Sequence, residues 1–211
     1  MSNRYWISVA AIAAAAALAG VYVSRLVNQP AMPALESGTA LPQPRALAPF
    51  ALRDTHNSPA TPATLRGHPT LVFFGFTHCP DVCPTTLGQL AIVQKEAGVA
   101  DKKLAGLKVA LISVDPERDT PEQLGRYVSS FGRDFIGLTG SAPEIVNATR
   151  AFGVASARVD LGGGNYTMDH SATVFALDSN ARIVAIFTPP LRADALARDL
   201  VKLADMLGAG A

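Results

Sequence analysis

The only two cysteines of the sequence, Cys79 and Cys83, lie in one short stretch, FTHCPDVCPTTL, and each is followed by a proline. Three residues separate them, one more than in the common redox-active pair. A pair with two intervening residues closes a small disulfide ring, whereas the wider spacing can hold two sulfurs apart around one ion. Because thiolates suit soft metals, this spacing indicates a soft-metal site.

The prolines that follow the cysteines restrict the local backbone. Each proline biases the residue before it, Cys79 or Cys83, away from helical angles. Pro84 itself suits the first turn of a helix, so Cys83 is predicted to lie near a helix N-terminus. There the free N–H groups and the helix dipole favour a negatively charged sulfur, which is the form that binds metals and attacks disulfides.

Two thiolates alone rarely satisfy a metal, so a third ligand is expected among the four histidines. His56 and His68 lie in turn-like stretches and are interpreted as solvated side chains. His78 adjoins Cys79, but neighbouring side chains usually point apart, so it is a candidate to orient a ligand. His170 begins the predicted strand HSATVFALD after a glycine-rich loop, at a sheet end that the cysteines can reach. It is the predicted third ligand.

The predicted donor set leaves the metal open. Two thiolates and one imidazole form a three-coordinate site that suits Cu(I) and extends to Cu(II) with a fourth ligand. An open zinc site with a bound water also has three protein ligands. Asp169, next to His170, either orients the imidazole or is solvated, and the residues alone favour neither.

The elements that position these residues follow from apolar runs. PTLVFFGFT (residues 69–77) and LKVALISVD (residues 107–115) predict strands buried on both faces, with a helix from Pro84 to about Gly98 between them. The loop after the first strand opens at a carboxyl end of the sheet, where open α/β sheets place their chemistry. Cys79 and Cys83 lie in that loop.

Further elements are predicted downstream. Thr120 is the predicted N-cap of a second helix, a third helix starts near Ser141, and a hairpin turns at Ser179-Asn180. The last helix is predicted from four leucines at helical spacing: Leu196, Leu200, Leu203 and Leu207. This order predicts an α/β domain with a thioredoxin-like fold, a mixed central sheet flanked by helices, over residues 50–211.

The chain before residue 50 has a different character. Residues Ile7 to Val23 carry no charge and lie between Arg4 and Arg25, which indicates a membrane anchor or a cleavable signal peptide. An uncleaved transmembrane helix within residues 1–27 is the favoured interpretation. Residues 28–49 are proline-rich without apolar periodicity and are predicted to be an extended linker. Whether the N-terminal segment is an anchor or a cleaved signal peptide, the domain is predicted to be exported to a compartment where thiols can oxidise.

Composition narrows the class of partner. The 211 residues are 49% hydrophobic, enough for a sizeable core, and the formal net charge is +1 with scattered charges. Nucleic acid is therefore excluded as a partner, because no basic surface is indicated.

Four motifs in the same order resemble the SCO/SenC proteins, the copper chaperones for cytochrome c oxidase assembly. They are FFGFTHCPDVCPTTL, SVDPERDTPEQL, LTG at residues 138–140 and YTMDHSATVF. The resemblance implies a membrane-anchored thioredoxin-like domain that binds a copper ion, Cu(I) or Cu(II), through Cys79, Cys83 and His170. It implies delivery of that copper to the dinuclear site of oxidase subunit II, exchange with other copper carriers, and a periplasmic domain on the inner membrane of a bacterium.

The resemblance leaves alternatives to delivery. A thiol–disulfide oxidoreductase would reduce the partner's cysteines through Cys79 and Cys83, which would then form a disulfide in the oxidised state, and it would not need His170. A copper or redox sensor would use the same residues. The resemblance also singles out the motif around Asp115, Arg118 and Asp119, whose charges are interpreted as a network that holds the loop after the second long strand.

Overall fold

The computed structural model describes residues 3–27 and 32–208. The chain divides into two compact units, Met1–Met32 and Pro33–Ala211. The first unit contains one helix, α1 (Asn3–Val27). Within the described ranges, no helix is both long enough and apolar enough to cross a bilayer, so the predicted transmembrane helix is not confirmed. Residues 28–31, where the predicted linker starts, and residues 1–2 of the predicted anchor lie outside the described residues.

The second unit alternates strands and helices. Its strands are β1 (Gly38–Ala46), β2 (Leu52–Asp54), β3 (Pro59–Ala60), β4 (Thr70–Gly75), β5 (Lys108–Ser113), β6 (Phe135–Thr139), β7 (Ser156–Gly162), β8 (Asn165–His170), β9 (Val174–Leu177) and β10 (Arg182–Phe187). Its α-helices are α2 (Val82–Ala100), α3 (Pro121–Ser129), α4 (Ala142–Phe152), α5 (Ala193–Lys202) and α6 (Ala204–Gly208). Short 3₁₀ helices span Pro62–Leu65 and Lys102–Leu104.

The main sheet is mixed, as predicted for a thioredoxin-like fold. Its strand order is β1-β10-β9-β4-β5-β6-β2-β3. Strand β4 pairs in parallel with β5 and antiparallel with β9, and β5 pairs in parallel with β6. All six residues of β4 are buried, because the strand lies at the centre of the sheet with both faces covered. The loop after β4 therefore opens from the middle of the domain.

The helices follow the predicted sequence signals closely. Helix α3 begins after Thr120, whose side chain accepts a hydrogen bond from the backbone N–H of Gln123, so the predicted N-cap is confirmed. Helix α2 begins at Val82, two residues before the predicted start. The predicted last helix is instead two helices, α5 and α6, which meet at Leu203 while its side chain stays buried.

The predicted linker over residues 28–49 is corrected by strand β1. This strand pairs antiparallel with β10, and the register shifts between Ala40 and Arg45, the interval that contains Pro42 and Pro44. Proline cannot donate to a sheet ladder, but an edge strand with a bulge tolerates it. The proline content therefore marks an irregular edge strand here, and the domain begins before residue 50.

A buried carboxylate holds the residues just before β1. Asp199 on α5 is fully buried and accepts hydrogen bonds from the backbone N–H groups of Glu36 and Ser37 at 2.8 to 2.9 Å. Lys202 on the same helix donates to the carbonyl of Ala34 at 3.3 Å. The segment before β1 is thus bonded to the last long helix of the domain.

The predicted glycine-rich loop before His170 is a hairpin. Strands β7 and β8 form a separate two-stranded sheet, and Gly162, Gly163 and Gly164 turn the chain between them with φ of +84°, +61° and +81°. Glycine adopts this left-handed region without steric cost, so three in succession permit a tight turn. His170 consequently ends β8, and the next strand begins at Val174, which corrects the predicted position of His170.

Candidate metal site

The two cysteines lie between the end of β4 and the first turn of α2. Cys79 is half-buried in the loop, Cys83 is fully buried as the second residue of the helix, and both are free thiols. The backbone N–H of Cys79 donates to the carbonyl of Phe76 at 3.3 Å, which folds the loop back on the strand. The structure therefore presents one sulfur at the surface and one behind it.

The helix N-terminus acts on a different sulfur from the predicted one. The backbone N–H of Cys83 donates to Sγ of Cys79 at 3.4 Å, so a free N–H of the first turn is directed at Cys79. Burial raises the pKa of the Cys83 thiol far above its usual range. Burial therefore opposes the thiolate that was predicted at Cys83, and the N–H of the first turn contacts the sulfur of Cys79 instead.

His170 meets the buried cysteine from the end of β8. Its Nε2 lies 3.6 Å from Sγ of Cys83, and its Nδ1 lies 3.3 Å from the carbonyl oxygen of Ser171. A carbonyl can only accept, so Nδ1 of the neutral ring is the donor and the lone pair of Nε2 faces the sulfur. The structure thus brings the predicted ligands Cys83 and His170 together.

Aromatic rings fix the plane of this imidazole. The rings of Phe73 and Phe76 contact His170 edge to face, with centroid distances of 5.9 Å and 6.0 Å. The same burial lowers the pKa of His170, which favours the neutral ring that a metal requires. Asp169 is exposed, and the Ser171 carbonyl makes the orienting contact that was considered for this carboxylate.

The site is more open than a closed metal cage. Among the residues described, the one group of three acidic, histidine or cysteine side chains with ligand atoms within 4.8 Å of one another is His78, Asp115 and Asp119. Ligand atoms of Cys79, Cys83 and His170 therefore do not all lie that close, and the half-buried Cys79 must approach the other two to share an ion.

His78 contacts the acidic residues beside the loop. Its Nδ1 lies 3.1 Å from Oγ1 of Thr77 and 3.9 Å from a carboxylate oxygen of Asp119. The carboxylates of Asp115 and Asp119 are nearly or fully buried and already accept hydrogen bonds from protein groups. These contacts of His78 are to Thr77 and Asp119 and not to a predicted ligand, so its role in orienting a ligand stays a prediction.

Gly75 is a site residue that the sequence reasoning missed. A Cβ atom built on this glycine would lie 2.9 Å from Sγ of Cys83 and 3.1 Å from the ring of Phe73. A contact this short forces the sulfur or the ring to move. Cys83 can therefore occupy its position only if residue 75, the last residue of β4, has no side chain. The sequence did not indicate this requirement, because Gly75 lies within an apolar run that predicts only a buried strand.

Replacing Gly75 with alanine is expected to weaken metal binding at this site about tenfold, because disturbing the groups that position metal ligands typically costs about 10- to 100-fold in affinity. The measurement is a competition titration against a chelator of known affinity. Gly88→Ala on α2 is the matched control, since a Cβ there meets no atom within 4 Å. Its metal affinity should equal that of the wild-type protein, and equal losses in both variants would contradict the role of Gly75.

The buried thiol also predicts a pH dependence of stability. The pKa of Cys83 is raised in the folded state, so its contribution to the free energy of unfolding is complete below the unfolded value and is lost as pH rises. Above about pH 8.5, where an unfolded thiol ionises, the metal-free domain should lose up to about 1.4 kcal/mol per pH unit. Urea unfolding from pH 7 to pH 10 measures this slope, and Cys83→Ala should lack it. Parallel curves for the two proteins would refute the assignment.

The fold and the site together define a class: a thioredoxin-like α/β domain with two thiols and one imidazole near the end of its central strand. The SCO1/SenC family matches residues 39–205. This chain belongs to that family.

Solved structures and a sequence relative agree with this assignment. ScoI of Arabidopsis thaliana with copper bound has a TM-score of 0.71 and 33% identity, covering 74% of this chain and 96% of that chain. ScoI of Bradyrhizobium japonicum with copper bound has a TM-score of 0.66 and 39% identity, covering 74% and 98%. The SCO2-like protein RP587 of Rickettsia prowazekii is 38% identical over 141 residues, which are 66% of this chain and 67% of that protein.

Proposed function

We propose that this protein is a copper metallochaperone that delivers copper to the dinuclear copper site of cytochrome c oxidase subunit II. Cys79, Cys83 and His170 bind the ion. The contact of 3.6 Å between Sγ of Cys83 and Nε2 of His170 carries the proposal, because it aims an imidazole lone pair at a sulfur. Two relatives of known structure have copper bound, which supports copper over zinc.

The arrangement suits transfer of the ion. A soft donor set of two sulfurs and one neutral imidazole favours Cu(I) and leaves a coordination position open for an incoming thiolate. Cys79 is half-buried and Cys83 is fully buried, so the acceptor meets the more accessible ligand, Cys79, first. The copper then passes by exchange of one ligand at a time. Other copper carriers can load the site by the reverse sequence.

A second function is favoured by the same difference in exposure. A half-buried Cys79 with a helix N–H on its sulfur, backed by a buried Cys83, suits attack on a partner's disulfide and resolution of the mixed disulfide. Such a reductase would prepare the cysteines of subunit II for copper. A sensor of copper or of redox state would use the same three residues without delivery.

Replacing His170 with alanine tests the chaperone proposal. We expect a loss of at least about a hundredfold in copper affinity, since disturbing even the groups that orient a ligand costs 10- to 100-fold. Copper uptake by the reduced protein and oxidase assembly in cells should fail together. His56→Ala is the control, because His56 is exposed in a turn of the same domain. Assembly that survives without copper retention would favour the reductase.

We further propose that the domain works on the periplasmic side of the inner membrane of a bacterium, attached by a single N-terminal segment. The uncharged stretch Ile7–Val23 between Arg4 and Arg25 supports export. Fractionation of cells that express the full chain should recover it with membranes, and protease should digest the domain in spheroplasts. A processed soluble protein would contradict the attachment, and protection from protease would contradict the export.

A further inference from the structure

The turn formed by residues 115–119, DPERD, connects β5 to α3 and contacts both parts of the site. Two segments supply the ligands: the cysteine arm, residues 76–83, and the histidine arm, the β7–β8 hairpin of residues 156–170. The backbone of the turn is closed by hydrogen bonds from the N–H groups of Arg118 and Asp119 to the carbonyl of Asp115, at 3.2 Å and 2.9 Å. The turn is therefore a compact unit between the two arms.

Asp119 bonds the turn to the cysteine arm. Its carboxylate is fully buried and accepts a hydrogen bond from Oγ1 of Thr77 at 2.6 Å and from the backbone N–H of Thr77 at 3.1 Å. Ser113 donates to the same carboxylate at 2.6 Å, and Gln123 donates to Thr77 at 3.2 Å. Thr77 lies two residues before Cys79, so the start of the cysteine arm is fixed to the turn.

Asp115 and Arg118 bond the turn to the histidine arm through Tyr166. The hydroxyl of Tyr166 donates to Asp115 at 2.8 Å, and Nη1 of Arg118 donates to the backbone carbonyl of Tyr166 at 3.1 Å. The guanidinium of Arg118 lies 3.8 Å from the centroid of the Tyr166 ring and is itself bonded to Asp115 at 2.5 Å. Tyr166 of the hairpin is thereby held through its ring, its hydroxyl and its backbone carbonyl.

A second arginine also contacts the ring of Tyr166. The guanidinium of Arg158, on β7, lies 3.7 Å from the centroid of Tyr166 and donates to Glu117 of the turn at 2.8 Å. Every residue of β7 is exposed, and the apolar contact of the hairpin with the core is made from β8, where Met168 is partly buried. Tyr166 and its partners in the turn are therefore the hairpin's main polar attachment among the contacts described.

We propose that Tyr166 is the positioning residue that holds His170 at the sulfur pair, with the 115–119 turn as the common base of both arms. Tyr166 lies four residues before His170 on the same strand. Asp115 and Arg118 fix Tyr166, and Asp119 fixes Thr77. Together these bonds set the distance between the imidazole of His170 and the two thiols. The inference rests on the proposed copper function, because copper affinity is one of its measurements. It also predicts the position of the His170 ring in the metal-free protein.

Tyr166→Leu tests the role of the ring and Tyr166→Phe tests the hydroxyl alone. We expect Tyr166→Leu to lose about 10- to 100-fold in copper affinity, as is typical for groups that orient a ligand. The nitrogen hyperfine signal of the imidazole should disappear from the electron paramagnetic resonance spectrum of the Cu(II) form. Tyr166→Phe keeps the ring between the two arginines and should restore most of the affinity. Leu161→Ala, at the exposed tip of the same hairpin, is the matched control and should behave as wild type.

A double variant separates positioning from general damage. In the background of His170→Ala, adding Tyr166→Leu should cause no further loss of affinity, because Tyr166 acts only through His170. Additive losses, or an unchanged hyperfine signal in Tyr166→Leu, would overturn the proposal.

The metal-free protein gives an independent readout. Nuclear Overhauser contacts from the His170 ring to Phe73 and Phe76 should be present in wild type and absent in Tyr166→Leu. Wild-type protein that takes up no copper would refute the proposed function, while these contacts would still decide the role of Tyr166. Contacts that persist in the variant would refute that role.

Discussion

Replacing Cys83 with serine is expected to lower copper affinity by at least about a thousandfold, because a hydroxyl is a hard, protonated group where a soft metal needs a thiolate. Sγ of Cys83 lies 3.6 Å from Nε2 of His170, so this sulfur and this nitrogen are the two proposed ligands that are already in contact. The variant should remain folded, since a serine hydroxyl at this position can donate to the same nitrogen. Copper stoichiometry after dialysis measures the effect.

Cys79→Ser is the variant with which the copper affinity of Cys83→Ser should be compared. Cys79 is half-buried and must move toward the other ligands, so its loss should also prevent stable binding while leaving Cys83 and His170 in contact. Circular dichroism and the unfolding midpoint of both variants should match wild type. Retention of one tightly bound copper per chain in Cys83→Ser would contradict thiolate binding at this position and would exclude the proposed site.

Replacing Asp199 with alanine is expected to lower the free energy of unfolding by about 2–4 kcal/mol, because two backbone donors lose their acceptor. These donors are the N–H groups of Glu36 and Ser37, at 2.8 to 2.9 Å from the carboxylate. Although burial acts to raise it, the pKa of Asp199 is lowered by these hydrogen bonds, so the contribution is present at neutral pH and is lost as pH falls through the lowered value.

Urea unfolding at pH 7 and at pH 3 measures this difference. Asp194→Ala is the matched control on the same helix, because Asp194 is exposed and forms its ion pairs with the exposed arginines Arg192 and Arg198. It should change stability little. A wild-type midpoint for Asp199→Ala would show that the residues before β1 do not contribute to the stability of the domain.

Local sequence predicted the parts of this fold that depend on local chemistry. The apolar runs gave β4 and β5, and Thr120 with its proline gave the start of α3. Cys83 and His170 were brought together by a topology that the order of elements already indicated. The family resemblance added copper, which the residues alone left open against zinc.

The failures concern properties set by distant contacts. Burial of Cys83, which raises the pKa of its thiol, depends on packing against β4. The need for Gly75 exists only because that sulfur lies against it. The segment before residue 50 was read from its prolines, although its pairing with β10 and its bonds to Asp199 determine its structure. Tyr166 begins the motif YTMDHSATVF, but its role was missed because its partners lie about fifty residues away in the chain.

The two outermost strands of the main sheet affect how this protein behaves at high concentration. One edge is β1, whose ladder is interrupted where Pro42 and Pro44 lie, and the other is β3, which has two residues and begins with Pro59. Neither edge offers a long, regular row of free N–H and C=O groups to a second molecule. Aggregation through strand addition at these edges is thereby disfavoured, and the domain can be abundant without forming fibrils along its sheet.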